Sequence, residues 1–265
     1  MVDDLSGRIK SLEVKSAAKS ELKEITLPVW PETKRATPNS FLRSALFSTT
    51  KSATNDDRAY LHRVVIASQQ GIEIKFTGKQ LNQDDLTLWE TLVHLAKIQP
   101  LEDVCEFTAY SILNTMGLTD GGANIKKLHD GIIRLTACAV EISLEGNKVY
   151  FSSLIASGVR NEVTGHYTIQ LSKQLIKLYK QNTWLDWEQR AKLRRKPLAQ
   201  FLHGYYGSHK NPYPVKVETL HKLSGSKSKK LFEFKQRLIK ALDDLVEIQF
   251  LKAYKVSNDV VEVEK

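Results

Sequence analysis

The 265-residue sequence contains only two cysteines, Cys105 and Cys138. They form no CxxC pair, so we expect neither a disulfide framework nor a cysteine-rich zinc site, and we interpret both as reduced thiols. The sequence also has no run of about 18 consecutive apolar residues, the length that spans a membrane as a helix. Its first residues lack the basic-then-apolar order of a signal peptide. These absences predict a soluble, cytoplasmic protein without a membrane partner.

Motifs for catalysis are also missing. The sequence has no GxxxxGK[ST] loop for a nucleotide, and its seven histidines form neither an HExxH motif nor the closely spaced pair that a metal-dependent nicking enzyme needs. Tyr205 and Tyr206 lie in an apolar helical context without a recognisable cluster of Arg and His partners, so we interpret both as packing residues rather than nucleophiles. The prediction is a protein that is not an enzyme, with no catalytic residue, no metal and no cofactor.

The charge balance points to an anionic partner. Lys and Arg number 39 against 30 Asp and Glu, which gives a net charge of +9 and a pI near 9.3. Nucleic acid is the commonest partner of such a chain, although many basic proteins bind nothing acidic. The positions of the basic residues must therefore decide whether this chain binds nucleic acid. The length of the chain favours two domains.

The first half of the chain has the order of a winged-helix domain. After an N-terminal arm at 1–25, a hairpin with period-two alternation precedes a helix capped by Asp84 or Asp85. A helix-turn-helix follows from Thr108 to about residue 136. Two strands joined by the turn Glu145-Gly146-Asn147 come next, and we interpret them as the wing. The predicted first domain covers residues 26–160.

The second half repeats this order without a detectable sequence repeat. A short helix ends at the turn Ser224-Gly225, a long basic helix is predicted from Ser226 to Leu245, and a hairpin turns at Ser257-Asn258-Asp259. The predicted second domain covers residues 161–265. The expected fold class is α+β, with two tandem winged-helix DNA-binding domains.

The long helix of the second half carries the strongest functional signal. Between residues 226 and 240 there are six cations and a single acid, Glu233. Phosphates require cations, and base edges are read by Arg, Lys, Gln or Asn side chains from a helix in the major groove. The alternative is a solvated lysine face. The candidate DNA-binding residues of this segment are Ser226, Lys227, Ser228, Lys229, Lys230, Gln236, Arg237 and Lys240.

Two further basic groups are weaker candidates. Arg194 and Arg195 lie at a helix end, where they would contact phosphate or else interact with the negative end of the helix dipole. In the first domain, Lys126, Lys127 and Arg134 share a helix face with an aspartate, so a plain solvent-exposed face is nearly as good an interpretation.

Several long ordered motifs resemble one known family. They are LPVWPETKRATPNSFLRSALF at 27–47, IEIKFTGKQLNQDDLTLWETLVHLA at 72–96, and PLAQFLHGYYGSH at 197–209, followed by VETLHKLSGS. These segments resemble the TrfA family of plasmid replication initiators, and the similarity runs from about residue 25 to residue 245. The resemblance implies a bacterial protein that binds direct repeats, called iterons, in double-stranded DNA at a plasmid origin.

The same resemblance implies partners and a division of labour. An initiator of this kind helps to open an AT-rich stretch and recruits the host initiator DnaA and the replicative helicase. Its first domain would contribute dimerisation and DNA backbone contacts, and its second domain specific recognition. A homodimer through the first domain would not initiate.

One motif departs from the family pattern, and rival functions remain. A sliding-clamp-binding peptide has no clean match; the nearest segment, 174–179, is interpreted as helix core, so clamp contact is not predicted. A winged-helix transcriptional repressor would need the same DNA contacts. A rolling-circle nicking enzyme would need the histidine pair and exposed tyrosine that the sequence lacks.

Overall fold

The structure is a computed structural model that describes residues 27–51, 57–98, 103–144 and 148–265. The predicted arm at 1–25 and the predicted turn at 145–147 lie outside these ranges. The helices are α1 (Asn39–Leu42), α2 (Gln83–Lys97), α3 (Ala109–Thr115), α4 (Gly122–Thr136), α5 (Lys173–Ile176), α6 (Trp187–Lys192), α7 (Pro197–Gly207), α8 (Val217–Leu223) and α9 (Leu231–Glu247). A 3-10 turn, Lys177–Lys180, follows α5.

The strands fall into small sheets. They are β1 (Lys34–Pro38), β2 (Phe47–Ser48), β3 (Tyr60–Ile66), β4 (Ile72–Lys79), β5 (Leu81–Asn82), β6 (Val104–Thr108), β7 (Ala139–Leu144), β8 (Val149–Ser152), β9 (Ile155–Arg160), β10 (His166–Leu171), β11 (Asn182–Asp186), β12 (Val215–Lys216), β13 (Ala253–Ser257) and β14 (Val260–Glu264). The sheet orders are β1-β11, β6-β10-β9, β12-β14-β13, β2-β5 and β3-β4-β7-β8.

The same arrangement occurs twice in the fold. In the first domain, the helices α2, α3 and α4 accompany the antiparallel sheet β6-β10-β9. In the second, α7, α8 and α9 accompany the antiparallel sheet β12-β14-β13. In both, the strand before the helix-turn-helix pairs with the last strand of the hairpin that follows it. The prediction of an α+β fold with two tandem winged-helix domains is confirmed.

The first wing differs from the prediction. The strands that follow α4 at once, β7 and β8, extend the hairpin β3-β4 into a four-stranded antiparallel sheet. Ile74 of β4 faces Ile142 of β7, and both side chains are buried. The wing is instead the hairpin β9-β10, because β10 pairs with β6. The four-stranded sheet is thus an addition to the winged helix, in which β7-β8 separates α4 from its wing.

This pairing also bears on the domain boundary, which the sequence predicts between residues 160 and 161. Strand β10 completes the first wing, and buried side chains as far as Leu185 pack in the first hydrophobic core. The second core begins at Leu193 and extends to Val261. The chain therefore passes from the first hydrophobic core to the second between residues 185 and 193, and we propose this interval as the domain boundary.

The helix starts follow from capping. Thr108 caps α3 as predicted, with its hydroxyl accepting from the Ser111 N–H at 3.1 Å. For α2 the predicted caps Asp84 and Asp85 are wrong by two or three residues. Asn82 accepts from both of their backbone N–H groups, and the Asp85 carboxylate accepts from the Asn82 N–H at 2.9 Å. This reciprocal capping box satisfies donors that the first helical turn leaves free.

The two domains are held together by direct contacts. Strand β11, whose Leu185 packs in the first core, pairs with β1 along five residues, from Lys34 opposite Asp186 to Pro38 opposite Asn182, and leads directly into the second domain. The Arg43 guanidinium, just after α1, donates to the Ser208 hydroxyl at 2.9 Å and to the Ser208 carbonyl oxygen. The first domain thus reaches the end of α7 in the second.

A buried ion pair lies near this junction. Arg190 of α6 contacts Glu90 of α2 at 2.8 Å, and both side chains are almost fully buried. The Glu90 carboxylate also accepts from the Thr37 hydroxyl at 2.7 Å. Because a buried charge is tolerated only with a partner, this pair ties α6 to the first core.

Candidate nucleic-acid interface

The basic segment of the second domain divides into a turn and a helix. The predicted helix start at Ser226 is wrong, because α9 begins at Leu231. Ser226 and Ser228 therefore precede the helix by several residues and do not present its N-terminal N–H groups to a phosphate. Lys227, Lys229 and Lys230 are exposed on the turn that enters α9.

This turn has its own supports. The Ser226 hydroxyl accepts from the Ser228 N–H at 3.4 Å, and the His221 ring nitrogen Nε2 lies 3.1 Å from the Ser228 carbonyl oxygen. Gly225 adopts a left-handed conformation with φ of 61° at the end of α8. The turn between α8 and α9 is therefore ordered by local contacts, and it displays its lysines outward.

The turn is also held by the first domain. The Thr49 N–H donates to the Ser224 carbonyl oxygen at 2.9 Å, and the Thr50 hydroxyl donates to the Gly225 carbonyl oxygen at 3.4 Å. A Cβ atom at Gly225 would lie 2.8 Å from the Ser48 Cβ atom. The segment after β2 consequently sets the position of the turn that precedes α9.

Helix α9 has one buried face and one exposed face. The buried side chains are Phe234, Leu238, Ala241, Leu242 and Leu245, so the predicted apolar stripe is confirmed except at Leu231, which is 38% exposed. Gln236, Arg237 and Lys240 are exposed, as predicted. Lys240 and Gln236 lie opposite the stripe, whereas Arg237 lies at its flank, since residues four apart share a helix face.

The hairpin β13-β14 lies beside α9. Lys235 of α9 forms an ion pair of 2.7 Å with Asp259 in the hairpin turn, and the Tyr254 hydroxyl donates to Asp243 at 2.6 Å. Asn258 and Asp259 both have positive φ, as a tight hairpin turn requires. The hairpin exposes Lys255, a cation that the sequence prediction missed because that prediction rested on helices alone.

The basic group at the end of α6 has structural partners. Arg194 donates to the carbonyl oxygens of Met116 and Gly117, at 2.7 and 2.6 Å. It therefore satisfies carbonyl oxygens at the end of α3 in the first domain, while its side chain remains exposed and its phosphate contact stays a prediction. Lys196 pairs with Asp244 of α9 at 2.7 Å, which raises the pKa of Lys196 through that hydrogen bond. Arg195 is exposed and has φ of 64°.

In the first domain, helix α4 exposes fewer cations than its sequence predicts. Arg134 is only 9% exposed and contacts the buried Asp85 carboxylate at 2.7 Å, which also binds Arg58 at 2.6 Å. The placement of Arg134 on the exposed face is therefore wrong. Lys126 pairs with Asp130 at 2.9 Å, and Lys127 is exposed. Lys126 and Lys127 are the candidates that remain on this helix.

The residues considered for catalysis are buried. Tyr205 and Tyr206 pack in the second core, and burial raises the pKa of both hydroxyl groups. The packing interpretation is confirmed. Burial also lowers the pKa of His203 to about 3. Among the described residues, no group of three or more His, Cys, Asp and Glu side chains is placed to hold a metal ion.

The segment nearest to a clamp-binding peptide is also internal. Leu175, Ile176, Leu178 and Tyr179 are all at least 97% buried in the first core. The interpretation of residues 174–179 as helix core is confirmed. Within the described ranges, every helix is too short or too polar to cross a membrane.

Comparison with known proteins identifies one protein family over nearly the whole chain. A model of the TrfA protein family matches residues 9–265. The plasmid replication initiator protein TrfA of Escherichia coli is 28% identical over an alignment of 276 positions, which covers 98% of this chain and 71% of that protein.

Solved structures share the fold. A crystal structure of domains 2 and 3 of RctB matches with a TM-score of 0.60 at 15% identity, over 86% of this chain and 99% of that chain. A second crystal structure of these RctB domains matches with a TM-score of 0.51 at 17% identity, over 76% and 81%. At such identity these likenesses concern the fold alone, and they agree with two tandem winged-helix domains.

Proposed function

We propose that this chain, which belongs to the TrfA family, is a plasmid replication initiator. It binds direct repeats in double-stranded DNA at an origin. The observation that carries the proposal is the family match, which extends over both winged-helix domains. The basic turn and helix of the second domain supply the chemistry that DNA binding requires.

In this proposal the second domain reads the sequence. Helix α9 would lie in the major groove, with Gln236, Arg237 and Lys240 directed to base edges and adjacent phosphates. Lys229 and Lys230 on the preceding turn would contact the DNA backbone together with Lys227. Ser226 and Ser228 would contribute at most weak contacts, since both are half-buried and hydrogen-bonded to each other within the turn.

The first domain would contribute contacts that carry no sequence information. Lys126 and Lys127 of α4 are exposed and would approach phosphates, as would Arg195 between the domains. Arg134 and Arg194 have protein partners and are left out of the proposed interface. Their loss would affect the fold rather than the DNA contacts.

The later steps of initiation rest on the family resemblance. We propose that the bound protein helps to open an adjacent AT-rich stretch and recruits DnaA and the replicative helicase. We also propose a homodimer through the first domain that does not initiate. Permanganate probing of unpaired thymines and co-purification with DnaA would test the first two steps, and sedimentation would test the third.

The central experiment separates an initiator from a repressor. The chain is supplied in trans to a plasmid that carries only the candidate origin, with tandem repeats of roughly 17 to 22 base pairs, about two helical turns. We expect DNase protection of the repeats and maintenance of the plasmid. A matched plasmid with scrambled repeats should be neither protected nor maintained. Protection of the repeats without maintenance of the plasmid would instead identify a repressor.

A further inference from the structure

The outward face of α9 carries apolar side chains among its polar ones. Phe232 is 69% exposed and Ile239 is 36% exposed. Gln236 lies between them, four residues after Phe232 and three before Ile239, so the three side chains form one ridge. The ridge is opposite the buried stripe that contains Phe234 and Leu238.

Exposure of one large apolar side chain is ordinary by itself. The surroundings of Phe232 are what distinguish it. The exposed cations Lys229 and Lys230 precede it within one turn of chain, and Lys240 follows on the same side of the helix. A protein partner with an apolar groove would have to remove these cations from water, which costs free energy unless each cation finds an acceptor.

Duplex DNA offers both kinds of contact at once. Its phosphates accept from cations at the edges of the major groove, while the 5-methyl group of thymine is an apolar surface on the floor of the groove. In helix-turn-helix proteins the N-terminal residues of the second helix reach the base edges. Phe232 is the second residue of α9, and it therefore occupies the part of the helix that would reach deepest.

We propose that Phe232 is a specificity-determining residue, whose ring packs against the 5-methyl group of a thymine in the major groove. Gln236, one turn further along, is placed to read an adjacent adenine, because Gln donates to and accepts from the adenine edge. The recognised repeat then contains an A·T-rich step under the N-terminal half of α9. This inference rests on the proposed function, since it requires the second domain to bind DNA in the major groove.

The test uses uracil in place of thymine, which removes the methyl group and leaves every hydrogen-bonding group of the base. The full-length protein first selects its specific duplex from a random pool, and its affinity is then measured for duplexes with single thymines replaced by uracil. We expect one or two positions at which the wild type binds uracil about fourfold more weakly, the change expected for burial of one methyl group.

Two variants assign that effect to a side chain. Phe232→Ala should bind the thymine and uracil duplexes equally at those positions. Phe151→Ala is the matched control, because Phe151 is 72% exposed on β8 in the first domain. It should keep the fourfold preference. Both variants should melt like the wild type, since neither side chain is buried.

The outcomes are distinguishable. Specific binding without a uracil effect, or a uracil effect that survives in Phe232→Ala, would overturn the inference and leave the proposed function standing. Failure to select any specific duplex would overturn both. Phe232→Ala that changes the sedimentation of the free protein and not the thymine preference would show that the ring serves a contact between copies instead.

Discussion

Gly225→Ala tests whether the first domain positions the turn before α9. Gly225 has φ of 61°, a left-handed conformation that disfavours any residue with a Cβ atom. The added Cβ atom would also lie 2.8 Å from the Ser48 Cβ atom, which is closer than such atoms approach, and 3.3 Å from the Ala45 Cβ atom, which is a tight contact. The substitution therefore introduces both backbone strain and a clash between domains.

The two effects have separable magnitudes. The left-handed conformation costs an L residue roughly 1–2 kcal/mol. Overpacking of a close contact costs about 1–3 kcal/mol more. Gly165→Ala is the matched control, because Gly165 has φ of 68° and nothing lies within 4 Å of the position that its added Cβ atom would take. Gly165→Ala should lose only the roughly 1–2 kcal/mol of unfolding free energy that the left-handed conformation costs.

The assay is urea denaturation of the full chain, followed by circular dichroism, with the specific duplex titrated in parallel. Gly225→Ala should lose about 2–5 kcal/mol of unfolding free energy, more than Gly165→Ala loses. Adding Ser48→Gly to Gly225→Ala should recover part of the difference, with a coupling energy of about 1 kcal/mol or more. Equal losses for the two alanine variants, without coupling to Ser48, would refute the reasoning.

Three further predictions follow from buried groups. Glu90→Gln should lose about 3–5 kcal/mol of unfolding free energy in thermal or urea denaturation, because it leaves the Arg190 charge without a partner. The exposed control Glu188→Gln should lose less than about 0.5 kcal/mol. Equal losses for the two variants would contradict this prediction. Burial lowers the pKa of His203 from 6.5 to about 3, so only the unfolded chain takes up its proton between these values. Stability should then fall by about 1.4 kcal/mol per pH unit as the pH drops through this window, and His203→Gln should lack that slope. If the pH dependence of stability were the same in the variant, His203 would not be its cause. The protein should leave supercoiled origin plasmid covalently closed with Mg²⁺ or Mn²⁺, since the Tyr206 hydroxyl is buried; nicked circles that vanish in Tyr206→Phe would prove otherwise.

The order of elements was predictable because it depends on local patterns. Period-two alternation located the hairpin β3-β4, and the apolar spacing located α9 and its buried face. The choice of pairing partner was not predictable in this way. Strand β7 pairs with β4, more than 60 residues earlier, and no local signal distinguishes that edge from a wing.

The candidate site was predictable to a similar extent. The lysines at 227–230 are exposed, as are Arg237 and Lys240 of α9, which agrees with the charge pattern. Lys235 is instead half-buried and paired with Asp259. Arg134 was misplaced because its partner Asp85 comes from another helix. The protein partner of Arg194 was missed because carbonyl oxygens at the end of α3 have no signature in the sequence. The start of α9 was missed because Ser226 resembles a helix cap, whereas the Ser224–Gly225 turn is held by residues 49 and 50.

The most direct test of the central claim is the affinity of three charge variants for the specific duplex across a salt series. Wild type that neutralises about six to eight phosphates should show a slope of log K against log salt of about −5 to −7. Arg237→Ala and Lys229→Ala should each weaken binding, by about 1–3 kcal/mol for a base contact or with a slope shallower by about 1 for a phosphate contact. Lys180→Ala, which removes one exposed charge from the first core region, should bind like wild type. If Arg237→Ala and Lys229→Ala also bind like wild type, or the wild-type slope is shallower than about −2, the second-domain helix does not read the DNA.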